Sequence, residues 1–167
     1  MDIGGFDLAM INVTLPDGTV NEYAAGITCA EVITDALGKK NGCLAALVDG
    51  QEKDMSHEIH QSCKVEGIKA ESDAGMYILR HSTAHLLAQA VTELYPDAKP
   101  TIGPAIDRGF YYDFAMEPIT EADLKPIQKK MQELARRNFT VERIELDDSE
   151  LRAVSYTHLT LPTTCTV

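Results

Sequence analysis

Ile11-Asn12-Val13-Thr14-Leu15-Pro16-Asp17-Gly18-Thr19-Val20-Asn21-Glu22-Tyr23 is the stretch that decides the fold. Ile11 to Thr14 alternate apolar and polar, the two-residue period of a half-buried strand. Leu15-Pro16-Asp17-Gly18 is a turn with a mechanism, because Pro presets φ and Gly accepts φ > 0. Thr19 to Tyr23 return as a second strand, so residues 10–24 read as a β-hairpin. Thr28-Cys29-Ala30-Glu31 then forms a capping box, with Thr28 as N-cap and Glu31 reaching back. The helix it opens runs to about Leu37 and stops at Gly38. Ala45 to Val48 reads as a strand closed by the Asp49-Gly50 turn, and a further strand is expected near Cys63 to Ile68. Hairpin, single helix, then short strands is the order of a β-grasp module, a small mixed sheet holding one helix.

Beyond it the style of the sequence changes. Glu71 to Gly75 is polar and reads as a linker. An amphipathic helix is predicted from about Met76 to Tyr95, stopped by Pro96. Ile102 to Ile106 and Gly109 to Phe114, joined across Asp107-Arg108, read as a strand pair. Phe110, Tyr112 and Phe114 would share one face of it, and Tyr111 and Asp113 the other. A second helix carries a cap signal at Thr120 to Asp123. Pro126 belongs in a first turn, which places the helix start at Asp123. It runs to about Asn138 with Leu124, Ile127, Met131 and Leu134 inward, and Val141 to Leu146 follows as a strand. The fold class is therefore α+β. Residues 1–9 read as an extension, 10–70 as the β-grasp domain and 71–153 as an incomplete second α+β domain. Residues 154–167 are Thr-rich and uncharged and look like a translated sequencing adaptor, so a non-native tail is expected there, with no function for His158 or Cys165.

The composition, 44% hydrophobic and 25% charged over 167 residues, is that of a folding chain rather than a disordered one. No apolar run approaches a membrane span, and Met1 to Gly5 lacks the basic and apolar regions of a secretory leader. The four cysteines, Cys29, Cys43, Cys63 and Cys165, have no CxxC spacing, which argues against a zinc ribbon and for a reducing compartment. A cytoplasmic protein is expected. The net charge of −11, with both domains acidic, excludes a broad basic nucleic-acid platform, so any RNA contact has to be local.

Residues 81–87 read His-Ser-Thr-Ala-His-Leu-Leu. On a helix, His81 and His85 are one turn apart and can aim two imidazoles at one small volume. At 100° per residue Leu79, Leu86, Leu87, Ala90 and Leu94 cluster as the expected core stripe. His81 and His85 fall roughly opposite, beside Tyr77, Ala84, Ala88 and Thr92. Spacing alone leaves open a metal site, an oriented water, a proton-sharing pair or an ordinary solvated face. A metal would need further ligands, and no metalloprotease Glu follows the first His.

Residues 10–68 resemble a TGS domain, through Ile11-Asn12-Val13-Thr14-Leu15-Pro16-Asp17-Gly18, the capped helix and Leu47-Val48-Asp49-Gly50. Residues 76–146 resemble the start of the editing (second additional) domain of the threonyl-tRNA synthetase family. The carriers are His81-Ser82-Thr83-Ala84-His85-Leu86-Leu87-Ala88-Gln89-Ala90, Thr101-Ile102-Gly103-Pro104-Ala105-Ile106-Asp107 and Gly109-Phe110-Tyr111-Tyr112-Asp113-Phe114. The resemblance implies a parent ligase that attaches threonine to its tRNA with ATP and hydrolyses tRNA mischarged with serine, a second site compensating for poor discrimination by the first. It maps the editing histidines onto His81 and His85 and a substrate-lining aromatic onto Tyr112, facing the 3′ end of tRNA, and assigns no residue as a metal ligand. The family's cleft is completed by a Cys-x-x-x-His element that this sequence does not contain. The ATP- and Mg-using core, its zinc and the dimer interface of the parent are likewise expected outside it. By that comparison the chain itself binds no cofactor and neither aminoacylates nor edits efficiently. Two alternatives remain: a non-catalytic, TGS-bearing RNA-binding or regulatory module, and a freestanding editing hydrolase.

Overall fold

The opening hairpin forms as its alternation dictates. A computed structural model describes residues 9–139 and 147–148 of the chain, and in it β1 (Met10–Thr14) pairs antiparallel with β2 (Val20–Ala24). Ile11 and Val13 point into the core while Met10 and Asn12 face out. At the turn Gly18 donates its N–H to the Leu15 carbonyl (2.9 Å) and takes φ of 86°, the left-handed conformation that glycine tolerates. After β3 (Ile27–Thr28) comes α1 (Cys29–Leu37). Its first three orphan N–H groups all find acceptors. Cys29 and Ala30 donate to the His57 and Met55 carbonyls, and Glu31 to the Thr28 hydroxyl at 3.2 Å. The Glu31 carboxylate closes the capping box on the Thr28 N–H at 2.9 Å.

β4 (Cys43–Val48) turns at Asp49-Gly50 into β5 (Gln51–Lys53). Both turn residues have positive φ, 49° and 80°, as a two-residue hairpin of this twist requires. β6 (Glu58–Ile59) pairs with β3, and β7 (Cys63–Lys69) completes the main sheet. Its order is β2-β1-β7-β4-β5, with the β1–β7 contact parallel and the others antiparallel. Cys29, Val32 and Ile33 of α1 close over Ile11, Val13, Ala46, Ile59 and Val65. Val13 and Val32 have no exposed surface, and burying each such side chain contributes roughly 1.5–3 kcal/mol. The expected β-grasp is present, with β3, β5 and β6 as additions too short for sequence periodicity to show.

The described residues divide into two compact units between Ile78 and Leu79. The division falls inside α2 (Asp73–Leu94), and the helix corrects the expected linker. Ser72 is its N-cap, accepting from the Gly75 N–H at 3.0 Å and donating to the Lys69 carbonyl at 2.7 Å. Gly75 lies in the first turn, where a Cβ would overlap the Lys69 carbonyl. It is a packing glycine rather than a flexible one. The helix ends one residue earlier than predicted, with Tyr95 still donating to the Val91 carbonyl.

In the second unit β8 (Lys99–Pro100), β9 (Ala105–Ile106), β10 (Gly109–Phe110) and β11 (Phe114–Ala115) form one interrupted strand pair across Asp107-Arg108. β8 pairs with β11 and β9 with β10. Between the two ladders residues 101–104 face residues 111–113, so the register slips by one residue, a bulge. α3 (Glu121–Arg137) starts two residues earlier than the proline argument predicts. The Asp123 carboxylate accepts from the Thr120 N–H at 2.8 Å and from its hydroxyl at 2.6 Å, a cap that sets the start at Glu121 and leaves Pro126 inside the helix. Ile127 and Leu134 are buried and Met131 is half-buried, as predicted, but Leu124 is 58% exposed. Val91, Ala98 and Ile127 form the buried cluster of this unit, joined by Leu87, Leu94, Tyr95, Phe114, Met116 and Met131. The expected strand at Val141 to Leu146, the extension through Leu8 and the tail at 154–167 lie outside the described residues.

Candidate active site

The histidine spacing does what helix geometry says it should. His81 and His85 of α2 meet through their Nε2 atoms at 2.9 Å, with ring centroids 4.5 Å apart and planes at 79°. One Nε2 must donate and the other accept, so the pair shares a single proton between its rings. Double protonation would set two N–H groups against each other. Burial, and then the neighbouring His81, hold the His85 imidazole below its ordinary pKa. His85 is thereby kept as a neutral base near pH 7, the state able to take a proton or orient a water. Its Nδ1 is buried and, among the described residues, meets no hydrogen-bond acceptor or donor.

The surroundings differ from the leucine-stripe expectation. Ala84, Ala88, Ala90 and Val91 are fully buried, whereas Leu79 is 38% exposed. The covered arc of α2 is thus wide and displaced toward the histidines. His81 and His85 border it, each half-buried, instead of standing opposite it on a solvated face. This partial burial is what shifts His85.

The strand pair runs beside this part of α2. Arg80 Nη1 reaches the Ile106 carbonyl at 3.5 Å, and Phe114 packs into the cluster that contains Val91. Arg80 and Val91 bracket the histidines along the helix, and Ile106 and Phe114 bracket Tyr112 along the strands. Tyr112 is half-buried, its ring stacked on Phe114 with centroids 4.9 Å apart and planes at 26°. Burial pushes its phenol pKa up. The structure therefore joins His81 to His85 directly. It places Tyr112 on the neighbouring element, where its ring contacts run to Gly103 and Phe114. Arg80 and Gly103 escaped the sequence reading. For Gly103 a signal existed, since glycine inside a strand pattern marks a bulge or a close approach.

A zinc ion takes at least three protein ligands. Among the described residues no three His, Cys, Asp or Glu side chains converge. The pair supplies two such donors, and its Nε2–Nε2 contact has the geometry of a shared proton. No helix among the described residues is long and apolar enough to cross a membrane.

Comparison with known proteins finds relatives for most of the chain. Residues 11–69 match the TGS domain family. Over 141 residues, 83% of the chain, the sequence is 48% identical to a threonine--tRNA ligase of Alkalilimnicola ehrlichii. It is 48% identical over 143 residues to the threonine--tRNA ligase of Saccharophagus degradans, and 47% over 136 residues to that of Francisella tularensis. The chain spans 22% of the length of the first two relatives and 21% of the third.

Proposed function

We infer, for a chain that belongs in sequence to the threonine--tRNA ligases and carries their TGS domain, that α2 and the strand pair form part of a hydrolytic site for mischarged tRNA. The whole enzyme joins threonine to its tRNA with ATP and Mg and carries a zinc; those groups, and its dimer interface, belong to regions outside this sequence. The present residues serve the correction step, hydrolysis of the ester that links serine to the 3′-terminal ribose of tRNA. The observation that carries this reading is the 2.9 Å Nε2–Nε2 contact of His81 and His85, with burial favouring the neutral form of His85. A neutral imidazole orients a water toward the ester carbonyl and accepts its proton as the tetrahedral intermediate forms. Tyr112, half-buried in the bulged segment between β10 and β11, offers a ring and hydroxyl to the ribose or base. The net charge of −11 argues against a broad basic platform, so tRNA contact within this chain is by a local patch. Cys29, Cys43 and Cys63 are free thiols, which fits a cytoplasmic setting.

The test uses the product of the complete reading frame. It should aminoacylate tRNA with threonine and deacylate seryl-tRNA. His81→Ala and His85→Ala should each lower deacylation about 10²–10⁴-fold, the usual worth of positioned acid–base groups, with aminoacylation unchanged. Full deacylation by both variants would remove the histidines from the site.

A further inference from the structure

Gly103 lies in the bulge between Ile102 and Pro104, where the strand pair slips register. Its φ is not positive. The residue before a proline is held in extended backbone, which any L-residue adopts. Backbone conformation therefore does not require glycine here. Space does. A Cβ on Gly103 would clash with the Tyr112 ring, lying 2.0 Å from Cδ2, 2.3 Å from Cε2 and 2.7 Å from Cγ. The same ring stacks on Phe114, and Phe114 is anchored in the cluster of Val91, Ala98 and Ile127. Main-chain bonds fix the two arms next to the bulge: Thr101 N–H to the Asp113 carbonyl at 3.0 Å and Asp113 N–H to the Ile102 carbonyl at 2.8 Å. The ring cannot follow a new side chain by moving the strands apart without breaking these.

We propose that Gly103 is a positioning residue for Tyr112: its missing side chain is the seat on which the ring lies, so that Gly103 and Phe114 together set where the ring and its hydroxyl stand. The functional weight of this seat rests on the reading of Tyr112 as a substrate-lining residue; the seat itself does not.

The test is a double-mutant cycle in the full chain, Gly103→Ala made with and without Tyr112→Ala. With Tyr112 present, the added methyl should lower the folding equilibrium constant roughly tenfold or more in urea titration, as overpacking does. In the Tyr112→Ala background it should have no effect. Equal losses in both backgrounds would overturn the proposal, since the methyl would then be meeting something other than the ring. Should Gly103→Ala fold too poorly to titrate, its recovery by Tyr112→Ala supports the seat in the same way, and failure to recover overturns it. A second readout is the phenol titration of Tyr112, isolated by difference against Tyr112→Phe. It should move down toward the ordinary tyrosine value in Gly103→Ala as the ring leaves its buried seat, and an unmoved titration counts against the proposal. A third uses a 3′-seryl-amino-adenosine, a hydrolysis-resistant mimic of the charged tRNA end. Gly103→Ala and Tyr112→Ala should weaken its binding to the same extent, with no further loss in the double variant. This readout uses the product of the complete reading frame; coupling in urea with no binding of the mimic to that unaltered protein would sink the tRNA reading and leave the seat standing.

Discussion

At His85 a single side chain links helix periodicity to pH. The fold lowers its pKa from the ordinary value of about 6.5, first by burial and then through His81. The unfolded chain consequently binds this proton more readily than the folded one. Stability from this group is complete above pH 6.5 and is lost as the pH falls below it toward the folded value. The urea midpoint should drop between pH 7.5 and pH 5.5. His85→Gln, which keeps a hydrogen-bonding side chain near His81 but cannot titrate, should flatten that drop. An equal drop in both proteins would assign the titration to another group. The pairing of His81 with His85 was legible from spacing alone, because i and i+4 stack on any helix. The shift was not. It depends on Ala84 and Ala88 being buried beside them, and alanine is too small to declare a face on a helical wheel. The same ambiguity made Leu79 look like core when it is 38% exposed. Tyr112 could be named from the Gly-Phe-Tyr-Tyr-Asp-Phe segment, but its contact with Gly103 depends on a one-residue slip between two strands that no period reveals.

Elements were predicted best where a local cap and a tertiary pattern agreed. α1 is one such case: Thr28 and Glu31 mark its start, and backbone carbonyls of His57 and Met55 complete the same job from another part of the chain. Thr28→Ala removes the acceptor of the Glu31 N–H and should cost about 1 kcal/mol, measured as a fall in unfolding free energy in urea. No loss would mean that the carbonyls suffice. α3 is the opposite case, since two local rules conflict. Pro126 lacks the N–H that would bond the Ala122 carbonyl, yet the Thr120–Asp123 cap, tied to the Tyr95 hydroxyl at 2.7 Å, fixes the start at Glu121. A cap that also carries a tertiary bond outranks a first-turn preference for proline. The fold therefore retains an unfavourable residue. Replacing an interior helical proline by alanine relieves about 3 kcal/mol. A freer unfolded chain returns about 1 kcal/mol of that. Pro126→Ala should raise stability by about 2 kcal/mol in the same titration, and a destabilised variant would show that the ring is packed to advantage. α2 was displaced for a third reason, because Ser72 and Gly75 read as linker residues until the Lys69 carbonyl is seen lying against them.

Across the whole molecule, the two units are built with unequal means. The first closes one helix over a five-stranded sheet and buries Ile11, Val13, Cys29, Val32, Ile33, Ala46, Ile59 and Val65 in one cluster. Its inner strands β1, β7 and β4 are each paired on both sides. Among the described residues, the second unit has ladders of two residues each and a buried cluster of Val91, Ala98 and Ile127. It also leaves Ile102, Ile106 and Leu124 about half exposed. Stability within a protein follows buried contacts and the depth of its hydrogen bonds, so opening should cost far more in the first unit. Native-state hydrogen exchange should therefore find the amides of β1, β4 and β7 protected longest, with protection tracking global unfolding. Those of β8 to β11 should exchange through local opening, insensitive to low denaturant. A peptide of residues 1–78 should unfold in one cooperative transition near the midpoint of the same strands in the full chain. Uniform protection across both units, or a 1–78 peptide without a cooperative transition, would show that the β-grasp unit depends on residues after Ile78. The acidic sheet would then be only part of a larger folding unit, despite a core that looks complete.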